Sequence, residues 1–232
     1  MKKGMRIKRD SFRAGRTLSI ICAAVALAAA SGPDSRAQIV IGPSISLADL
    51  TNGQTIVVGD KAFTDFSISG DFSAGQVNVT EITENGNYGI RFSGLFLGGA
   101  TGADMILGYQ ISVTNSENLI SAANMLFNGY VPFGVGEASV IEQVFTNATS
   151  QFYGEFSVFA TATTNQLSNS LPIQPPQALL TISKDVSVFA VVPAFAEIST
   201  IDQTFSQVPE PSAVALVAAG LAGLLLLRRR RH

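Results

Sequence analysis

In Leu107-Gly108-Tyr109-Gln110-Ile111-Ser112-Val113-Thr114, large apolar side chains alternate strictly with small or polar ones. Neighbouring side chains of an extended chain point to opposite faces, so this is the period of a strand with one face in a core and the other in water. The same alternation returns in Phe156, Val158, Ala160 and Ala162. It returns again in Leu180, Ile182, Val186 and Val188, where Lys184 interrupts the apolar face. Around these stretches the chain is rich in Thr, Ser, Val, Ile, Phe, Gly and Asn, a composition that suits strands and turns better than helices.

Working outward, Glu84-Asn85-Gly86-Asn87 is the strongest local signal, because Asn and Gly accept the positive φ angles of a tight hairpin turn. With Asn85 and Gly86 as the turn residues, Val79 faces Phe92 and Thr80 faces Arg91. Glu81 then falls opposite Ile90, a poor match that leaves room for a bulge or a longer loop. Pro172, Pro175 and Pro176 mark a loop within 166–177. Gly94 to Gly102 contains no Walker pattern and reads as a turn region. Segments 118–128 and 137–145 each fit a short helix, although their apolar residues fit both periods. Segment 38–207 holds about 170 residues, enough for one domain with its own core. The expected fold is all-β, an antiparallel sandwich or jelly roll.

The chemical inventory of this segment is narrow. The only cysteine, Cys22, and the only histidine, His232, lie outside it. Without them it has no disulfide, cysteine nucleophile, histidine base, or zinc or copper site of the usual ligand types. A serine–lysine pair would need Lys61 or Lys184, and both read more simply as solvated surface lysines. Carboxylates are the plentiful reactive groups, and glycosidases place two of them about 5 to 10 Å apart. Glu137, Glu142 and Glu155 are candidates by position alone, against the plainer reading of solvating acids. Asp60, Asp65 and Asp71 are a candidate group for a calcium ion, but their spacing is not that of a helix-loop-helix calcium loop. Capping of turns is the simpler account. The expectation is therefore no catalytic residue, no metal and no cofactor.

Charge is distributed unevenly. Of fifteen Lys and Arg, seven lie in the first sixteen residues and four in the last five, and Arg36 stands alone. Only Lys61, Arg91 and Lys184 remain in 38–207, against fourteen acids, a formal charge of −11, while the whole chain carries −2. Such a domain repels phosphate and has no basic stripe, which sets nucleic-acid binding aside. Association with an anionic polysaccharide would need bridging divalent cations.

The basic flanks explain themselves as membrane signals. Lys2, Lys3, Arg6, Lys8, Arg9, Arg13 and Arg16 precede an apolar stretch, 18–30, and then small residues, the order of a secretory signal peptide. Cleavage fits after Ala30 or after Ala37, the second leaving Gln38 as the new N-terminus and 1–37 as the signal. No paired arginines precede the apolar stretch, so the general secretion machinery and signal peptidase are the expected partners. At the other end Val208-Pro209-Glu210-Pro211 leads into a sixteen-residue uncharged run, 212–227, and then Arg228, Arg229, Arg230, Arg231 and His232. As a helix the run reaches roughly 24 Å, short of the ~30 Å hydrocarbon core. Snorkelling arginines and local thinning let it span as a modest anchor. The arginines act as a membrane stop under the positive-inside rule, and the prolines end the helix on its outer side.

Motif, apolar helix and arginine cluster in this order resemble the PEP-CTERM sorting signal of exported bacterial proteins. The resemblance covers 208–232. It implies that Pro209, Glu210 and Pro211 are recognition residues and that the partner is an exosortase, a membrane cysteine protease of Gram-negative bacteria that make exopolysaccharide. This chain would be its substrate, held transiently in the inner membrane and then delivered to the outer surface or extracellular matrix. No Leu-Pro-x-Thr-Gly sortase signal is present. The expected role is a structural or adhesive one, without catalysis. The alternative is a carbohydrate-binding module or carboxylate-based hydrolase acting on the exopolysaccharide.

Overall fold

The computed structural model describes residues 39–115, 118–146 and 151–209. The expected signal peptide, 1–37, Gln38 and the run 212–227 expected to form a membrane helix lie outside the described residues. Thirteen strands occur within them: β1 (Ile39–Ser46), β2 (Ile56–Val58), β3 (Lys61–Gly70), β4 (Asn78–Glu84), β5 (Asn87–Gly98), β6 (Ala103–Val113), β7 (Asn118–Tyr130), β8 (Gly136–Thr146), β9 (Gln151–Thr161), β10 (Asn165–Gln166), β11 (Ser168–Gln177), β12 (Leu179–Ala190) and β13 (Ala196–Pro209). A short helix, α1 (Leu47–Thr51), follows β1, with Ser46 Oγ accepting from the Ala48 N–H as its cap. Among the described residues no helix is long and apolar enough to cross a membrane.

The strands form two sheets, six-stranded β1-β4-β5-β13-β7-β11 and seven-stranded β10-β9-β8-β12-β6-β3-β2. Every paired neighbour is antiparallel. The fold is an antiparallel β-sandwich, and the alternating stretches are strands of it with one face in the core. Met105, Leu107, Tyr109 and Ile111 of β6 are buried on the face between the sheets, as are Leu180, Ile182, Val186 and Val188 of β12. Each of the aliphatic side chains and Met105 contributes roughly 1.5–3 kcal/mol by leaving water. Tyr109 lies at the centre of an aromatic group, its ring centroid 6.2 Å from Phe63, 5.4 Å from Phe66 and 5.9 Å from Phe92.

The β4–β5 hairpin turns on Asn85 (φ 52°) and Gly86 (φ 80°), and Val79 faces Phe92 and Thr80 faces Arg91. The register continues unbroken through Glu81 opposite Ile90. No bulge is needed, because Glu81 lies beside β1 over Gly42, where a Cβ would sit 2.9 Å from the Glu81 carboxylate.

Three expectations are corrected. Segments 118–128 and 137–145 are strands. In β7 two residues, Ile120 to Ala122, span one step of β13, Gln207 to Ser206. Ser121 is therefore the extra residue of a bulge. It puts the buried Ile120 and Ala123 three apart and imitates a helical period. In β8 both faces carry apolar side chains, Ala138, Val140 and Val144 inward and Ile141 outward, which blurs the alternation. Pro172, Pro175 and Pro176 lie in β11, not in a loop. This strand is at the sheet edge, where a missing N–H donor is tolerated, and its pairing breaks between Pro172 and Gln177. The glycine-rich stretch is strand as far as Gly98.

Gly89 shows how closely β5 and β13 are laid together. A Cβ there would fall 2.0 Å from the Gln203 carbonyl oxygen and 2.7 Å from Thr204 Cα, both backbone atoms that cannot swing aside. Gly89→Ala is expected to lower the unfolding free energy by about 1–3 kcal/mol or more, read as a fall in the urea midpoint with an unchanged slope.

Candidate functional site

The C-terminal signal begins inside the fold. Val208 and Pro209 are the last residues of β13, pairing with Leu119 and Asn118 of β7, and both are exposed. Glu210, Pro211 and Arg228 to Arg231 lie outside the described residues, as do Ala37 and Gln38. The first motif residues thus end a strand that lies between β5 and β7, with β7 alone pairing beyond Phe205.

All three cations of 38–207 reach that same strand. Arg91 Nε and Nη2 donate to the two Asp202 carboxylate oxygens, each at 2.6 Å. This bidentate contact, with Asp202 3% exposed, raises the Arg91 pKa above its ordinary value. Lys61 Nζ donates to Gln207 Oε1 at 2.5 Å and to Asp60 Oδ1 at 2.5 Å. Asp60 also accepts from Asn118 Nδ2 at 2.9 Å. Lys184 Nζ donates to Gln203 Oε1 at 2.5 Å and lies 3.6 Å from Met125 Sδ. It also forms an ion pair with Glu142 in which neither side chain is exposed. Lys61 and Lys184 are therefore core residues, and the expectation of two solvated surface lysines is corrected. Both occupy inward positions of their strands, and each finds a carboxylate and a glutamine amide there.

Burial dominates the electrostatics of the inner pair. It pushes the Glu142 carboxyl up and the Lys184 amine down, each shift opposed by the partner's charge. Burial also raises Tyr109 well above the ordinary phenol value, and the Glu142 charge adds to this. Among the described residues three buried polar atoms have no hydrogen-bond partner: Tyr109 Oη, Glu142 Oε1 and Gln203 Nε2.

The three candidate carboxylates are not brought together. Glu142 points into the core, whereas Glu137 lies at the opposite end of β8 from the position that pairs with Glu155. Those positions are six residues apart along β8, roughly 20 Å of strand. Glu155 accepts instead from Gln143 Nε2 at 2.9 Å. Asp60, Asp65 and Asp71 are separated as well. Asp65 takes φ 54° in the β3 bulge, and Asp71 accepts from the Asp104 N–H at 3.1 Å. Among the described residues no group of three or more His, Cys, Asp or Glu is placed to hold a metal.

The outer faces of the two sheets each carry a hollow. On the six-stranded sheet a groove of about 570 Å³ is lined by Glu84, Asn124, Leu126, Ser168, Ser170, Asp202 and Thr204, among others. On the other sheet a smaller one of about 170 Å³ is lined by Ile106, Ile141, Gln143, Glu155, Ser183 and Asp185. Partial burial, with the nearby Asp104 charge, raises the Asp185 pKa.

A β-sandwich whose last strand ends in the first residues of a sorting motif is the class that fold and sequence define. Residues 207–231 match the PEP-CTERM protein-sorting motif, and the chain carries that signal, which marks proteins exported through the membrane and sorted by an exosortase. No curated protein matches the chain. Among solved structures it is similar to the carbohydrate-binding module TmCBM61 in complex with beta-1,4-galactotriose, at 15% identity and a TM-score of 0.29, over 62% of this chain and 88% of that one. It is also similar to the mannan-recognising module TmCBM27, at 7% identity and a TM-score of 0.30, over 73% of this chain and 99% of that one.

Proposed function

We propose that this protein is a non-catalytic structural or adhesive component of the outer surface or extracellular matrix of a Gram-negative bacterium. It enters the general secretion machinery by its N-terminal signal, pauses in the inner membrane on 212–227, and is released or attached by an exosortase acting at Pro209, Glu210 and Pro211. The observation that carries this reading is the continuity of the motif with β13, the strand on which every cation of the domain converges. Tension applied through the tail enters the domain at a strand paired with β7 to its last residue and with β5 as far as Phe205. The separation of Glu137, Glu142 and Glu155 supports a role without hydrolysis.

The groove on the six-stranded sheet favours a second reading, binding of a polysaccharide. Its hydroxyl, amide and carboxylate groups match the hydrogen-bonding capacity of sugars. Protease added to intact cells tests the first reading, which expects digestion of the domain without lysis; a domain protected until the cells are broken contradicts it. Glycan-array binding and hydrolysis assays on the mature exported protein test the second. Calcium-dependent binding without hydrolysis supports it, and no binding with or without calcium ends it.

A further inference from the structure

Lys184, Glu142 and Gln203 bring an amine, a carboxyl and a primary amide together between the sheets, each with 0% exposure. Lys184 Nζ is 2.5 Å from Gln203 Oε1. The amide carbon is one C=O bond further, about 1.23 Å, so Nζ is at most about 3.7 Å from it, close to the ~3–3.5 Å of a near-attack contact. The Glu142 carboxylate touches the same Nζ through one oxygen. Its other oxygen and Gln203 Nε2 have no partner among the described residues. A buried ion pair is a poor source of stability in itself, and orphaned polar atoms in a core call for an explanation. Those atoms belong to the groups that an acyl transfer would use.

We propose that Lys184 and Gln203 are joined by an intramolecular isopeptide bond linking β12 to β13, and so one sheet to the other, with Glu142 as the proton-transfer group. Lys184 Nζ, as the free amine, forms a bond to Gln203 Cδ while the carbonyl electron pair moves onto Oε1. Glu142 takes a proton from Nζ and delivers one to Nε2. The Cδ–Nε2 bond breaks, ammonia leaves with that electron pair, and the carbonyl re-forms. One amine and one primary amide become one secondary amide and one ammonia, with nothing oxidised or reduced. The directions of the Lys184 and Glu142 shifts favour the neutral amine and the protonated acid, the forms in which a desolvated lysine acts as a nucleophile and a carboxyl as an acid. The product removes the charge of the lysine from the core.

Lys61, Asp60 and Gln207 offer the same three groups near the end of β13, at a matching 2.5 Å between Nζ and Oε1. Asp60 is 14% exposed there, and Gln207 is only half-buried. We assign no bond to this second trio, which serves as an internal control.

Peptide mapping by mass spectrometry of the full exported protein from cells is the test. The expected result is a branched peptide joining the Lys184 and Gln203 segments, lighter than their sum by one ammonia, with trypsin unable to cut after Lys184. Fragmentation must locate the loss, because an N-terminal Gln38 would also shed ammonia on cyclising. Recovery of Lys184 and Gln203 only in separate linear peptides of full mass overturns the proposal, as does a link found only between Lys61 and Gln207. In folded Glu142→Gln the branched peptide is expected to vanish, and in Glu142→Asp to return in part. A link that survives undiminished in Glu142→Gln overturns the role given to the carboxyl.

Discussion

Lys184→Ala is expected to be the most destabilising single substitution in the domain. Removing one partner of a fully buried pair costs about 3–5 kcal/mol, and here the loss also strands the Gln203 carbonyl and leaves a void beside Met125. These losses precede any loss of a covalent link between the sheets. A thermal melt followed by circular dichroism reads it, and a melting temperature within experimental error of the unaltered protein would refute the burial and pairing of Lys184. Lys61→Ala is the comparison. Its carboxylate partner is partly exposed, so water takes over some of the interaction and the fall is expected to be smaller.

The second large effect concerns the tail. Replacing Pro209, Glu210 and Pro211 with alanine is expected to leave the domain folded, since Pro209 is exposed at the terminus of β13 and the burial of Ile198, Ile201 and Phe205 is untouched. Sorting is expected to fail nearly completely, with the protein retained in the inner-membrane fraction through 212–227. Fractionation of cells separates the two consequences. Normal surface delivery of a folded variant would remove the recognition role from these three residues.

Legibility in the sequence varied with the locality of the physics. β6 and the Asn85–Gly86 hairpin depend on neighbours a few residues away, and both were readable, including the pairing of Val79 with Phe92. The sorting tail was readable because the Pro-Glu-Pro motif, the uncharged run and the arginine cluster are contiguous in the sequence. β7 was obscured by the bulge at Ser121, and β8 by apolar residues on both faces. The prolines of β11 are compatible with a strand only at an edge, and nothing local says where an edge is. The buried trio was hardest, because Glu142, Lys184 and Gln203 meet through packing of strands distant in sequence. One signal was available. Each is a lone polar residue in an inward row, Glu142 between Val140 and Val144, Lys184 between Ile182 and Val186, and Gln203 between Ile201 and Phe205. Polar residues sharing such rows on different strands need one another, since none can be satisfied alone in a core.

The central claim is that the tail is handled and cut at the membrane after the β-domain has crossed. Intact-mass measurement of the surface form addresses it most directly. A mass that lacks Leu227 and Arg228 to Arg231, with an N-terminus at or near Gln38, is the predicted result. A surface protein still carrying the four arginines would contradict it.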